Sequence, residues 1–538
     1  MVAELFILHN SKTPFPLIDL KGKEASMNRR KRFLYNGIML TAVGIAIRSV
    51  SIAFSSYISK SVGAEGIGLF TLIMNVYAFA VTFATSGISL TVTRLVADAI
   101  GDGRSGECRK IMRNAILYCL IFSGAAFLVL FFFANRFSVY ILGDTRSAEP
   151  LRILAFSLIP LSLSSAVCGY FVGVKRVFKN AVVQVLCQAF KIFITVYLIL
   201  KLSDKGALYA VVGLSLSITL TELFCFLVVF VEYALDRIHT SKSTKKAISK
   251  FSDVTSMALP LAFSAYIRSA LLTIEHSLIP KGLTKRGEST SEALSSYGIL
   301  HGMALPMLIY PMALLSSFAG LLVPEFAESA AMGEEKRMRR LAGEALEATL
   351  AYSVAVGVLL YVFSEEIGYV VYDSYYAGHY IAVMSCVIPI MYLDHVADSM
   401  LKGIGEHVYS MWINIADALI SVFLVWILIP IMGIGGYAVV IILMEGFNFI
   451  FSISRLYKKL PFKVNLFKAL LLPLISAACA GFASRALFIQ AGSTADIGWL
   501  IMKITFAACI FFVIYSVGKI KFGNGKKAPS TNKIKNDF

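Results

Sequence analysis

Long apolar runs follow one another along almost the whole chain, each about 20 residues long and therefore long enough to cross a bilayer. We count about fourteen such runs, too many apolar side chains for a water-soluble core, since 57% of the residues are hydrophobic and 15% are charged. Backbone groups inside a bilayer must be satisfied within the segment, so the runs are predicted to be helices. The fold class is therefore an all-α polytopic membrane protein. The runs begin near Phe33, Gly68, Met112, Leu151, Val182, Ala207, Val254, Gly298, Ala342, Ile381, Val408, Gly435, Leu466 and Ile497.

The positive charge of the chain is concentrated in alternate loops. The formal net charge is +17, which by itself could suggest nucleic acid as a partner. Alternate loops carry about three times as many Lys and Arg residues as the opposite ones, the pattern of cytoplasmic loops. We therefore expect both termini inside, no nucleic-acid partner, and a location in the bacterial cytoplasmic membrane. The basic clusters are 29–32, 104–113, 175–179, 242–250, 336–340, 458–463 and 519–527.

The chain shows no motif of a catalytic, cofactor or metal site. The eight cysteines form no CxxC pair and no zinc spacing, and we interpret those within apolar runs as small buried hydrophobic residues. P-loop, HExxH, nucleophile-elbow and Rossmann patterns are also absent. No cofactor, metal or catalytic residue is expected, and energy for transport is predicted to come from an ion gradient, the membrane potential or consumption of the product.

Two halves of the chain follow the same plan. Residues 66–98 resemble 297–329, and Ser157–Pro160 with Gly169–Gly173 resembles Cys386–Pro389 with Met400–Gly403. An even number of helices separates the matched segments, so the repeat is parallel, related by a pseudo-two-fold axis along the membrane normal. This predicts two six-helix lobes with a cavity between them, plus two C-terminal helices.

The predicted domains follow from this repeat. They are a cytoplasmic N-terminal segment 1–32, an N-lobe 33–231, a basic linker 232–253, a C-lobe 254–456, two further helices in 457–518, and a basic tail 519–538. Met27 directly precedes the first basic cluster, and Pro14 and Pro16 interrupt the apolar stretch before it. We expect Met27 to be the true start.

Several short motifs carry a resemblance to a known family. They are Ile47–Ser49, Val62–Leu69 and Val92–Asp98 in the first half, and Ile274–His276, Tyr297–Leu300 and Leu322–Pro324 in the second. Over nearly all of 33–518 the chain resembles the stage V sporulation protein B branch of the polysaccharide-transporter, or oligosaccharide flippase, family. The superfamily that contains it, the multidrug/oligosaccharidyl-lipid/polysaccharide exporters, also includes multidrug-and-toxin extruders and lipid II flippases.

This resemblance implies flipping of a polyprenyl-pyrophosphate-linked glycan or peptidoglycan precursor for envelope or spore-cortex synthesis, with downstream glycan polymerases as partners. The chain departs from the Gram-negative lipid II flippases at two positions. Those proteins are similar to one another in carrying an arginine in helix 1 and another in helix 2. Near the corresponding places this chain has Phe54 in helix 1 and apolar or small residues around Thr82 and Phe83 in helix 2. The family's cationic substrate site therefore does not transfer as a whole.

Three arginines are candidates for binding the lipid headgroup. Arg48 and Arg268 lie within the same ordinal helix of each predicted lobe, and guanidinium groups bind phosphate oxygens in a bidentate fork. The alternative is that both pair with intramembrane acids to hold helices together. Arg94, at the cytoplasmic end of helix 2, is the third candidate, although an anchoring role at the interface explains it as well.

Acids within the spans are candidates for coupling an ion, proton or sodium, to movement. Glu275 lies near the outer end of helix 7, and Asp394 and Asp398 share one face of helix 10. A plainer interpretation of the helix 10 acids is ion pairing with Lys402 or Arg268.

A transporter is favoured over two alternatives. A cation or drug antiporter of the extruder type would be expected to carry an acid in helix 1, where residues 33–59 have none. A membrane-bound glycan polymerase would be expected to have a large external loop, whereas the longest one, 279–296, is short. We therefore predict a flippase, working by alternating access between the lobes, and no enzyme.

Overall fold

The computed structural model describes the backbone of residues 29–85, 87–102, 104–174, 177–239, 251–465, 467–489 and 497–523. It describes their side chains from residue 54 onward, except at 105, 177–182, 236–239, 260, 261, 489 and 521–523. These residues are almost entirely helical, and the described part contains no strand. Met27 lies outside the described residues, and the proposal that it is the true start stays a prediction. The fold class predicted from the apolar runs is confirmed.

Nineteen α-helices, α1 to α19, follow one another in the described residues. They are, in order, Arg29–Thr85, Ile88–Gly101, Cys108–Phe132, Ala134–Arg136, Ala148–Ala155, Leu158–Gly173, Val177–Leu202, Ala207–His239, Phe251–Arg286, Thr290–Tyr297, Leu305–Ala331, Glu335–Val362, Ser364–Tyr372, Tyr375–Ser385, Ile388–Gly403, His407–Met432, Ile434–Lys459, Leu472–Ile489 and Ile497–Gly523. Short π-helical segments lie at Phe137–Leu142, Gly298–Ala304 and Phe467–Leu471.

Ten helical segments of the described chain are long and apolar enough to cross a membrane, or thirteen if three bent pairs each count as one span. The predicted number of about fourteen is not confirmed. The long helix α1 is interrupted at Gly63, whose backbone has φ 76° and ψ 167°, a conformation open to glycine alone. This break lies where the sequence predicts the loop between the first two spans.

The chain divides into two compact units. Of the described residues, the first contains those within 49–303 and 411–444, and the second contains those within 29–48, 304–410 and 445–523. In the first unit, α2, α3 and α6 pack together around fully buried side chains such as Ile88, Tyr118 and Phe171. In the second unit, α11, α12 and α15 enclose a comparable core that includes Phe326, Leu346 and Met400. The lobe boundaries proposed from the sequence stay a prediction.

Equivalent bends occur at the two sequence echoes. The α5–α6 pair bends by 43° just before Leu158, and the α14–α15 pair bends by 57° just before Ile388. Each following helix then meets its neighbour through glycine. A Cβ on Gly173 would lie 3.0 Å from the Thr93 carbonyl oxygen of α2, and one on Gly403 would lie 2.9 Å from the Val323 carbonyl oxygen of α11. Both halves therefore build the same glycine-mediated helix contact, as the parallel repeat predicts.

Large apolar side chains remain exposed on many helices. Phe132, Phe193 and Phe423 are 69%, 68% and 57% exposed, although they lie within candidate spans. Water would penalise such a surface, whereas hydrocarbon would not. The protein is therefore a multi-pass membrane protein whose helices present apolar side chains to lipid.

The interpretation of the cysteines within apolar runs as small buried residues is wrong for three of them. Cys119 is buried, but Cys386, Cys479 and Cys509 are exposed on helices, because an apolar side chain in a membrane protein can face lipid as readily as the core. Cys187 of α7 and Cys225 of α8 are joined in a disulfide, with Cα atoms 5.6 Å apart.

Candidate functional site

The three headgroup candidates differ in how the structure places them. The side chain of Arg48 lies outside the described residues. Arg94 is exposed on α2, and Arg268 is exposed on α9 within the segment that follows that helix's 46° bend. Within the described chain, neither Arg94 nor Arg268 forms an ion pair. The predicted pairing of Arg268 with an intramembrane acid is therefore not seen among these residues.

The three ion-coupling candidates fall in both units. Asp398 of α15 forms an ion pair with Lys402, one turn further along the same helix, at 2.7 Å, as the plainer interpretation anticipated. Asp394 lies one turn before Asp398 on the same helix and belongs, like it, to the second unit. Glu275 belongs to the first unit and is buried in α9, with 6% of its surface exposed.

Glu275 lies beside two polar side chains of α16. Its carboxylate accepts a hydrogen bond from the hydroxyl of Ser421, and Asp417 is close enough to act on it electrostatically. Asp417 and Ser421 are four residues apart, so they share one face of α16. Glu275, Asp417 and Ser421 thus form one polar contact between α9 and α16.

A glycine seam joins the second half of α1 to α10 and the π-helical segment that follows. It consists of Gly68, Gly298 and Gly302. A Cβ on Gly68 would overlap the carbonyl oxygen of Leu294, and one on Gly298 would overlap the carbonyl oxygen of Ala64. Because these residues have no side chains, the two backbones approach as closely as small residues allow between membrane helices.

The start of α10 is held in place by its own polar residues. Ser289 and Glu292 form a reciprocal capping box, which satisfies backbone donors at the first turn. Glu65, in α1 just beyond the Gly63 break, accepts a hydrogen bond from Ser291 and pairs with Arg146 at 2.7 Å. These polar contacts thus lie at one end of the glycine seam.

A buried polar cluster lies at the other end of the seam. It consists of Asn75 of α1, His276 of α9, Tyr297 of α10, His301 of the π-helical segment and Tyr437 of α17. Asn75 Nδ2 donates to the Tyr297 hydroxyl at 2.9 Å, and that hydroxyl lies 3.2 Å from His276 Nδ1. The ring of His301 is 4.4 Å from that of His276 and stacks with both tyrosines.

Sequence reasoning singled out Glu275 but assigned no role to the cluster. His301 and Asp417 are polar residues within apolar runs, yet nothing in the sequence places them beside His276 or Glu275. Asn75 and Tyr297 lie 222 residues apart. The available signal was that Asn75 and Tyr297 both belong to the matched segments of the repeat. Within the described residues, no group of three or more His, Cys, Asp or Glu residues could hold a metal ion.

Two family models match the chain. The family described as polysaccharide biosynthesis protein matches residues 33–330, and the MatE family matches residues 287–427. Stage V sporulation protein B of Bacillus subtilis (strain 168) is 25% identical over 91% of this chain and 96% of its own length. Lipid II flippase MurJ of the same organism is 24% identical over 59% of this chain and 62% of its own length.

Solved structures show the same fold. Lipid II flippase MurJ in an inward closed conformation has a TM-score of 0.68 at 12% identity, covering 90% of this chain and all of that one. An inward-facing multidrug resistance MATE family transporter of the MOP superfamily has a TM-score of 0.63 at 14% identity, covering 77% of this chain and 95% of that one. The resemblance to the stage V sporulation protein B branch is confirmed, and since one family model spans more than half of its length, this chain belongs to the polysaccharide biosynthesis protein family.

Proposed function

We propose that this protein is a flippase that moves a polyprenyl-pyrophosphate-linked oligosaccharide or peptidoglycan precursor across the bacterial cytoplasmic membrane by alternating access. Both termini are on the cytoplasmic side, the polyprenyl tail stays in lipid, and downstream glycan polymerases use the product. The family match, the likeness to stage V sporulation protein B and the MurJ-like fold support this proposal. The protein contributes binding and movement and no catalytic step.

The observation that carries the proposal is the state of Arg268. This arginine lies within a candidate span, is exposed, and has no acidic partner among the described residues. A cation inside a membrane costs several kcal/mol unless it faces water or a partner (about 2.5–3.5 kcal/mol on insertion scales). A pyrophosphate headgroup would supply the missing partner through a bidentate contact. Arg48 would act in the same way from helix 1, and Arg94 would receive the headgroup at the cytoplasmic end of α2.

Glu275 is proposed to couple proton movement to transport. Its carboxylate shares buried surroundings with Ser421 and Asp417, so its protonation changes the contact between α9 and α16. Asp394 and Asp398 of α15 are proposed as a further coupling pair in the second unit, with Lys402 as counter-ion to Asp398.

A cation antiporter is the second candidate. The match of residues 287–427 to the MatE family and the buried Glu275 favour it, because a buried acid can exchange a proton for a cationic substrate. The two candidates differ in the sign of the substrate charge. An unpartnered arginine in a span suits an anionic headgroup and repels a cationic drug, which is why we favour the flippase.

The test is translocation of a fluorescent undecaprenyl-pyrophosphate-linked sugar in proteoliposomes. Wild type, Arg48→Ala and Arg268→Ala would be compared, with Arg136→Ala as the matched control. Arg136 is also an exposed arginine, but it lies outside the candidate spans and packs over the ring of Phe133 at 5.3 Å. We expect at least a tenfold loss of transport in the first two variants and wild-type transport in the control, since a lost bidentate contact is worth about 1.5–3 kcal/mol.

Each other outcome has a definite meaning. Equal transport by all four proteins would retain the flippase and reject the arginine site. No transport of such lipids by the wild type, together with proton-driven efflux of organic cations, would reject the flippase in favour of the antiporter.

A further inference from the structure

We propose that the polar cluster of Asn75, His276, Tyr297, His301 and Tyr437 is a proton-sensitive latch. It holds the glycine seam closed while both histidines are neutral, and it releases the seam when protons reach it from the outer side of the membrane. This inference rests on the proposed function only for the assignment of the outer side and for the movement it regulates.

The hydrogen bonds of the cluster have a defined direction. Asn75 Nδ2 donates to the Thr71 carbonyl oxygen at 3.0 Å and to the Tyr297 oxygen at 2.9 Å. The single hydroxyl proton of Tyr297 is then directed at His276 Nδ1, 3.2 Å away. This series of hydrogen bonds is complete when His276 Nδ1 carries no proton. That is the case in the neutral ring that is protonated at Nε2. A proton on Nδ1 would make it a donor and leave the Tyr297 hydroxyl proton without its acceptor.

Burial makes protonation of His276 at Nδ1 unfavourable. Tyr297 and Tyr437 are 0% and 3% exposed, and His276 is 8% exposed. A charged group in such surroundings loses its hydration, and an orphaned buried donor adds a further desolvation cost. The ring of His301 lies 4.4 Å from that of His276, so two protonated rings would also repel each other.

The titratable groups around the cluster include Glu275, which precedes His276 on α9 and acts electrostatically on Tyr297 and Tyr437. The carboxylate of Glu275 accepts a hydrogen bond from Ser421 of α16 and lies near Asp417 of that helix. One turn further along α9, Lys281 donates to the backbone carbonyl of Tyr140. Within the described residues, no ion pair joins either histidine to an acid, and no lysine or arginine stacks on the aromatic rings.

The latch lies within the first compact unit and joins elements of the two predicted lobes, which alternating access would move apart. Asn75 belongs to the predicted N-lobe, whereas His276, Tyr297, His301 and Tyr437 belong to the predicted C-lobe. The Thr273 hydroxyl of α9 also donates to the Asn75 carbonyl oxygen at 3.1 Å. Opening the seam at this end would admit water to both histidines, so protons bind more strongly to the open form and shift the population towards it.

The size of the shift follows from linkage. A hydrated imidazole titrates near pH 6.5, so the open form gains about a tenfold advantage per histidine between pH 7.5 and pH 5.5 if the closed form stays neutral. If both histidines become hydrated in the open form, its advantage over the closed form rises by up to about a hundredfold. The direction is fixed: acid on the outer side opens the seam, and neutral pH closes it.

The experiment measures the opening without any substrate. Spin labels would be placed at Asp204→Cys and Thr290→Cys, two exposed positions in different predicted lobes, in a full-length variant without native cysteines. Distances would be recorded by electron–electron double resonance in liposomes at pH 7.5 and 5.5 and constant sodium. Wild type would be compared with His276→Gln and His301→Gln. The matched control is His379→Gln, an exposed histidine outside the cluster.

We expect the ratio of long to short distances to rise at least about tenfold on acidification in wild type and in His379→Gln, and to respond less in the two cluster variants. Tyr297→Phe removes the hydroxyl that links Asn75 to His276, so it should show the long distance already at pH 7.5. A wild type without a pH response, or cluster variants that respond as wild type does, would overturn the latch. Because no lipid-linked substrate is added, these results do not depend on which substrate the protein carries.

Discussion

Gly68 lies where α1 meets the backbone of α10, and no side chain fits there. Its neighbours in space are the carbonyl group of Leu294 and the amide nitrogen of Gly298, both of them backbone atoms that cannot rotate away. By contrast, a Cβ on Gly124 of α3 would meet nothing within 4 Å. Both glycines lie within apolar helices, so the sequence does not distinguish them. Only their surroundings show that Gly68 permits a close backbone contact and that Gly124 does not.

Gly68→Ala is therefore predicted to destabilise the protein, by about 1–3 kcal/mol, because the two backbones must move apart to admit the methyl group. Gly124→Ala is the control and should be neutral or stabilising by up to about 1 kcal/mol, since alanine favours the helix. Thermal unfolding in the same detergent would measure both. Unfolding temperatures that fall equally, or a Gly68→Ala variant as stable as wild type, would contradict the close contact.

At the scale of whole helices, the two halves repeat a bend followed by a glycine contact. The bends before Leu158 and Ile388 fall at the Ser157–Pro160 and Cys386–Pro389 echoes. Gly173 and Gly403 then end helices that pack against α2 and α11. Matching helices therefore perform matching structural tasks, although few of their residues are identical.

The junction between α15 and α16 carries a charged contact with α17. Glu406 pairs with Arg455 at 2.8 Å and with Lys459 at 2.7 Å. Hydrogen bonds from Lys459 and then Arg455 lower the pKa of Glu406 below its usual range. A carboxyl group whose pKa is lowered by folding stabilises the protein above its unfolded pKa, and that contribution is lost as the pH falls through the folded value.

Glu406→Gln is predicted to cost about 0.5–1 kcal/mol at pH 7, the range of partly exposed ion pairs, and to cost less as the pH falls below about 4. Unfolding temperatures of wild type and variant across this pH range would measure the difference. Glu344→Gln serves as control, because the Glu344–Arg340 pair is largely exposed and should have no resolvable effect. A constant difference at all pH values would show that the charge of Glu406 is not the cause.

At the scale of the whole molecule, the apolar surface and the basic loops together describe a protein oriented in a bilayer. Exposed phenylalanines on the helices are explained by lipid, and the basic clusters are predicted to lie on the cytoplasmic side. The ion pairs Arg485–Glu365 and Lys503–Glu366 attach α18 and α19 to the start of α13 within the second unit. The two helices beyond the predicted repeat are thus bound to the rest of that unit.

The orientation is testable by cysteine labelling in intact cells, in a variant without native cysteines. Tyr376→Cys lies in an exposed part of a segment predicted to be outside, and Lys336→Cys at the exposed start of α12, which is predicted to be inside. A membrane-impermeant maleimide should label the first and should reach the second only after the cells are opened. The reverse labelling would overturn the predicted topology. Labelling of both cysteines in intact cells would contradict the prediction that they lie on opposite sides of the membrane.

The sequence by itself determined the fold class, the approximate positions of the spans, the repeat and the family, because hydropathy, loop charge and short motifs are local properties of the chain. It also marked Glu275 as a polar residue within a span. The tertiary structure alone decided the partners of these residues: Asn75 with Tyr297, Glu275 with Ser421, and Gly68 with Leu294. The physical reason is that a helix surrounded by lipid and by other apolar helices is hydrophobic on all sides, so its sequence does not reveal which face meets which neighbour.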